Sequence, residues 1–166
     1  MSSANTASSS RRSECRSPID ESLVVVSVPA VALYERVGGM AFFERLIDDF
    51  YSQVAHDDVL LALYPEAPDL SGARHRLTLF LAQYWGGPTT YSDERGHPKL
   101  RLRHMPFTIG PLQRDRWLEH MSAAVKRCTE GRNDSVADEL MGYFVATAEQ
   151  MRNDTGLPIT SPTYPR

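Results

Sequence analysis

Five histidines, His56, His75, His97, His104 and His120, carry the ring nitrogens this chain could use for acid–base work or for holding a metal. They form no HxxxH pair and no Cys/His cluster, so a zinc centre has little support. The two cysteines, Cys15 and Cys128, have neither CxxC nor metal-ligand spacing, and they fall far short of a disulfide framework. His104 stands apart. It follows Leu100 by four residues in a short segment bounded by Pro98 and Pro106, so a helix there would put both on one face. Such a histidine can ligate a metal, but an imidazole at the surface serves many other roles, and spacing alone leaves both readings open.

The elements that would position it read as helices. Val31 to Val37 can form two turns ended by Gly38-Gly39, after which Phe43, Leu46, Ile47, Phe50 and Val54 recur on one helical face. A loop is expected through Tyr64-Pro65 and Pro68. Asp69 is then a plausible N-cap for a helix with Leu70, Ala73, Leu77, Phe80, Leu81 and Tyr84 on its stripe, stopped by Gly86-Gly87-Pro88. Residues 88–98 are polar and read as a loop long enough to have a function. A third long helix starts near Pro111 and carries Trp117, Leu118, Met121, Ala124 and Val125; a fourth carries Val136, Leu140, Phe144, Ala148 and Met151. The fold class is all-α, with four long helices, a short one at His104 and no sheet. An all-helical domain with one short segment presenting a histidine suggests a haem or metal site.

A chain of 166 residues, 42% hydrophobic, suits one domain. Residues 1–30 are expected to be a disordered extension, because Ser, Ala, Asn and Arg dominate up to about residue 22 and cannot offset the entropy of ordering. The run Leu23 to Val28 is left open. Residues 31–153 form the expected domain and 154–166 a flexible tail. Arg11, Arg12 and Arg16 before that apolar run imitate a signal peptide, but Asp20, Glu21, Ser27 and Pro29 break the pattern. With no run near the ~20 apolar residues of a membrane span, and with few cysteines, a cytoplasmic location is expected. A net charge of -3 gives no footprint for nucleic acid.

A set of motifs then narrows the reading. Gln83-Tyr84-Trp85-Gly86-Gly87-Pro88, Tyr91-Ser92, Arg95-Gly96-His97-Pro98, Leu100-Arg101 and Arg103-His104-x-Pro106-Phe107 together closely resemble the group II truncated haemoglobins. The resemblance runs from about Tyr34 to Met151. It includes Val37-Gly38-Gly39, Phe50-Tyr51, Tyr64-Pro65-Glu66 and Arg114-Asp115-x-Trp117-Leu118. The termini lie outside it. It implies a two-over-two helical sandwich around haem b, in agreement with the four long helices read from periodicity.

Residue by residue, the resemblance implies His104 as proximal iron ligand, its ring neutral so that one nitrogen can donate a lone pair. Tyr51, Tyr64 and Trp117 match the polar distal residues that would stabilise bound ligand; taken singly, each reads more readily as a packed aromatic, and the motif context reverses that. Ala73 falls where many globins carry a distal histidine, with Leu77 a turn later, so neither can donate to ligand. His75 lies roughly 200° round the helix from Ala73 and is expected to be solvated. Arg76 and Arg103 are candidates for the haem propionates, with Lys99 and Arg101 as alternatives. Phe50, Leu77, Phe80, Leu81, Leu100, Phe107 and Leu118 are expected to line apolar walls, and Trp85 to plug a helix end.

Function follows from the expected donors. Hydrogen bonds to bound O2, at about 1.5–3 kcal/mol each to a charged acceptor, would slow its release by roughly a hundred- to ten-thousandfold for an additive pair. So slow a release suits redox chemistry better than delivery. The resemblance implies the same: tight binding of O2, NO or CO with nitric-oxide dioxygenation or peroxidase-like turnover, supported by an unidentified reductant. Oxygen transport or storage, and gas sensing, are the alternatives, and a homo-oligomer is compatible with all of them.

Overall fold

The computed structural model describes residues 31–132 and 135–154, and the expectations for residues 1–30 and 155–166 fall outside them. Eight helices and no strand occur among the described residues: α1 (Leu33–Arg36), α2 (Met40–Val54), α3 (Asp58–Leu61), α4 (Ser71–Tyr84), α5 (Thr90–Arg95), α6 (Leu100–His104), α7 (Pro111–Cys128) and α8 (Val136–Met151). α2 packs on α4 and α7, and α7 packs on α8, giving two helix pairs that share one core.

The long helices follow their apolar period. α2 buries Phe42, Phe43, Leu46, Ile47, Phe50, Tyr51 and Val54, a full inward stripe at three- and four-residue steps. Each large apolar side chain so buried contributes roughly 1.5–3 kcal/mol. Pro111 opens α7, where the Gln113 side chain accepts from the Gly110 N–H at 3.1 Å, and α8 turns Val136, Leu140 and Phe144 inward. α4 ends where Gly86 takes φ 97° and the Gly87 backbone passes so close to Tyr34 that a Cβ would sit 2.6 Å from its ring. Only glycine fits that passage.

Four expectations are corrected. The stretch leading to Tyr64 contains α3, which forms because the buried Asp57 carboxylate accepts from the N–H groups of Val59 and Leu60 at 3.0 and 3.3 Å. Arg116 Nε at 2.9 Å and His120 Nε2 at 2.6 Å hold the same carboxylate from α7. The polar segment 88–98 contains α5. Its helical state rests on distant partners: Tyr91 is buried against Phe80 at 5.5 Å, and the Gln83 side chain bonds both the hydroxyl and the N–H of Ser92. Asp69 precedes the N-cap of α4, which is Leu70, yet its carboxylate still accepts the Ser71 N–H at 2.9 Å. Tyr84 leaves the stripe of α4 and is 52% exposed, because it lies at the last turn, where the core has ended.

Candidate functional site

A cavity of about 650 Å³ opens between the helix pairs, within the size range of small-molecule and cofactor sites. His104, Tyr51, Tyr64, Trp117, Ala73, Leu77, Phe80, Leu81, Leu100, Phe107, Arg76 and Arg103 all border it. They come from α2, α4, α6, α7 and the connections after α3 and α6, so residues more than fifty positions apart meet at one space.

α6 is a single short helix set up by backbone and side-chain anchors. Lys99 before it adopts φ 44°, and Arg103 folds back to donate to the carbonyls of Pro98 and Arg95 at 2.8 and 2.9 Å. Asn153, just past α8, holds the other end: its side chain donates to the carbonyls of His104 and Phe107 at 3.1 and 2.7 Å and accepts from the Ile109 N–H at 2.9 Å. His104 Nδ1 lies 2.7 Å from the Leu100 carbonyl oxygen. A carbonyl can only accept, so Nδ1 carries the proton and the lone pair of a neutral ring is left on Nε2. The donor set therefore fits a metal that takes one imidazole nitrogen.

The hydroxyls of Tyr51 and Tyr64 share a hydrogen bond, and their rings meet edge to face at 5.7 Å. Burial pushes both phenols above the ordinary tyrosine value, Tyr51 well above it. Both therefore remain O–H donors at neutral pH. The Trp117 ring packs between Phe50 at 5.3 Å and Phe144 at 5.7 Å, which fixes its plane. An apolar cavity bordered by two phenols, an indole and an imidazole fits a flat, iron-bearing macrocycle with room for a small polar ligand.

Not every expected residue reaches the cavity. Phe50 stands behind it, fully buried against Tyr51 and Trp117, and Leu118 packs on the core without bordering the space. Of the basic residues, Arg76 and Arg103 border the cavity, whereas Lys99 and Arg101 do not. Arg76 makes a two-pronged ion pair with Glu66, both contacts at 2.9 Å. His75 is exposed and meets Glu94 at 3.0 Å. Trp85 is half-buried in the core, against Tyr84 and Tyr143, and its indole N–H has no hydrogen-bond partner.

Sequence reasoning missed Arg95, Tyr91 and Tyr143, which also border the cavity. The first two were hidden by reading 88–98 as a loop. Tyr143 precedes Phe144 in α8, and nothing in a helical stripe marks the residue beside it as facing a cavity. Burial pushes the Tyr143 phenol up to about 12.

A family profile described as bacterial-like globin matches residues 32–153. The Bacillus subtilis protein "Group 2 truncated hemoglobin YjbI" is 37% identical over 124 residues, covering 75% of this chain and 90% of its own length. The crystal structure of a thermostable haemoglobin from Thermobifida fusca superposes with a TM-score of 0.71 at 50% identity, over 75% of this chain and 99% of that one. A structure described as the truncated oxygen-avid haemoglobin from Bacillus subtilis gives a TM-score of 0.67 at 36% identity, over 74% of this chain and all of that one (100%). With the helix pairs and the histidine-bordered cavity, these matches make the chain a member of the bacterial-like globins and, within them, of the group II truncated haemoglobins, two-over-two helical proteins that bind haem.

Proposed function

We propose that this globin holds O2 tightly at a haem iron ligated by His104 and uses it in redox chemistry, nitric-oxide dioxygenation or peroxide reduction, in preference to delivering it. The observation that carries this reading is the pairing of a histidine whose Nε2 is left free with the donors of Tyr51, Tyr64 and Trp117 on the same cavity. When bound, the haem supplies the site where O2 or peroxide coordinates and the electrons pass.

The chain's own residues do the rest. His104 orients its Nε2 through the Nδ1–Leu100 bond. The tyrosine pair and the Trp117 indole present N–H and O–H groups to an oxygen ligand that carries partial negative charge, which they stabilise electrostatically. Ala73, Leu77 and Phe80 bring no polar atom and keep water from that ligand. Arg76 and Arg103 are the cations for the propionates, and Arg76 would exchange Glu66 for one of them. In dioxygenation, NO, O2 and one electron become nitrate, so a reductant must return that electron; a cytoplasmic location would supply one. Among the described residues no helix is long and apolar enough to cross a membrane.

The deciding measurement is the O2 dissociation rate of the ferrous protein together with nitrate yield when the O2 complex meets NO. Slow release with one nitrate per haem supports the reading. Rapid release would move the protein to the storage or carrier class.

A further inference from the structure

α6 has two faces. Leu100 and His104 border the cavity, whereas Lys99, Arg101, Leu102 and Met105 do not. Leu102 is two residues from His104, a turn of roughly 200° at 3.6 residues per turn, and it is 61% exposed. Met105, three residues further on and therefore beside it, is 64% exposed. These two are the most exposed large apolar side chains among the described residues. Arg101, one turn before Met105, and Lys99 at the N-cap are exposed as well. Among the described residues neither cation forms an ion pair or a side-chain hydrogen bond. Arg103 is tied instead to the carbonyls of Pro98 and Arg95, and Glu94 is taken by His75. The chain carries a net charge of -3, yet no Asp or Glu falls between Glu94 and Asp115, a stretch that holds Arg95, Lys99, Arg101, Arg103 and Arg114. The outer face of α6 is thus an apolar centre with a cationic rim, in a chain that is acidic overall.

We propose that the outer face of α6 is the docking surface for an acidic one-electron donor protein, the reductant that returns ferric iron to ferrous. The inference rests on the reading that His104 holds a redox-active haem in the cavity. The donor gives up one electron and ferric iron becomes ferrous, with no group transferred between the two proteins.

Position and scale both favour such a partner. A donor seated on Leu102 and Met105 is separated from the cavity side of α6 by one helix thickness, roughly 10–12 Å with side chains. Opposite charges on the two proteins steer their encounter and weaken with salt, so the complex forms fast and does not persist. Complexes that only pass an electron also need less interface than stable ones, under about 1,200 Å². Two apolar side chains edged by cations on a five-residue helix suit that scale. An anionic membrane would call for a broader apolar face, rich in Trp, Phe or Leu, which α6 lacks. Because Lys99, Arg101, Leu102 and Met105 do not border the cavity, they can be altered without touching the ligand site.

The chain has two lysines, Lys99 on α6 and Lys126, exposed on α7, so a carbodiimide that joins an amine to a touching carboxylate reads the docking face directly. The haem-loaded full chain is mixed with oxidised flavodoxin, an acidic flavin protein, and the linked peptides are mapped by mass spectrometry. Links at Lys99 in clear excess over Lys126 are expected. Reduction of the ferric protein by reduced flavodoxin, followed by stopped flow, should slow as salt is added. It should fall roughly tenfold in Arg101→Glu and in Leu102→Ser, with reduction by dithionite and O2 dissociation unchanged. No link at Lys99, links as abundant at Lys126, or flavodoxin reduction indifferent to salt and to both substitutions would overturn the proposal. Binding to phosphatidylserine vesicles without any link to flavodoxin would also overturn it, in favour of a membrane. All of these leave the haem reading standing. A wild-type protein that takes up no haem, or whose ferric haem dithionite does not reduce, would overturn that reading and the proposal with it.

Discussion

His104 Nδ1 donates to the carbonyl oxygen of Leu100, one helical turn earlier, at 2.7 Å. That bond sets the tautomer and aims Nε2 away from the helix backbone. His104→Ala removes the imidazole and, with it, the proposed bond to iron. The purified variant should lack the five-coordinate histidine signature in its ferrous spectrum, and added imidazole should restore it. Wild-type spectra without imidazole would refute the assignment.

Asn153 reaches α6 from beyond α8 with three side-chain hydrogen bonds. Asn153→Ala should free the α6–α7 connection, costing about 1–3 kcal/mol of stability, and should speed haem loss. Haem transfer to an acceptor globin measures this; unchanged transfer kinetics would mean the staple does not steady His104.

Trp117 borders the cavity and carries an indole N–H. Trp117→Phe keeps a ring but deletes the donor, and losing one charge-assisted hydrogen bond of about 1.5–3 kcal/mol raises O2 dissociation roughly tenfold to a few hundredfold. Haem content should stay near normal. Tyr51→Phe and Tyr64→Phe are expected to be non-additive in a double-mutant cycle, since their hydroxyls bond each other. Dissociation within twofold of wild type in Trp117→Phe would defeat the distal-donor argument.

The same tyrosine pair predicts a pH profile. Their folded pKa values are raised by burial, so their contribution to stability is complete below the unfolded phenol value of about 10 and is lost as pH climbs through the folded values. O2 dissociation should stay flat from neutral pH to about 10, and stability should decline above it. Stopped-flow rates across that range check this, and a rate rising below pH 9 or so would show a phenol ionising at its ordinary value.

Asp57 behaves in the opposite sense. Burial alone would raise its carboxyl, but hydrogen bonds from His120, Leu60 and Val59 and the charge of Arg116 hold it below the usual carboxylate value. A depressed folded pKa gives stability present above the unfolded value and lost as pH falls through the folded one. Asp57→Asn should therefore cost about 1–3 kcal/mol near neutral pH, and the difference from wild type should shrink below pH ~4. Urea midpoints at several pH values are the readout, and a pH-independent difference would contradict the charge argument.

The amino-acid order alone determined the long helices, because the stripes of α2, α7 and α8 are periodic in apolar residues and need no knowledge of neighbours. It also singled out His104, in the motif that ends at Phe107, as the proposed iron ligand, and the residues whose hydroxyl, indole and guanidinium groups that proposal uses. Other features were set only by the tertiary structure. α5 is helical because Gln83 and Phe80, on another helix, bind Ser92 and cover Tyr91. α3 exists because the buried Asp57 is held by Arg116 and His120 across the fold. Phe50 and Leu118 lie behind the cavity wall while Tyr143 borders it, a distinction of helix rotation that periodicity does not resolve. Tyr84 belongs to a motif but lies at a helix end where the core stops, so its exposure and its contact with Tyr143 depend on where α8 passes. Periodicity records which face a helix buries; which residue meets which depends on long-range packing, whose partners lie far away in the chain.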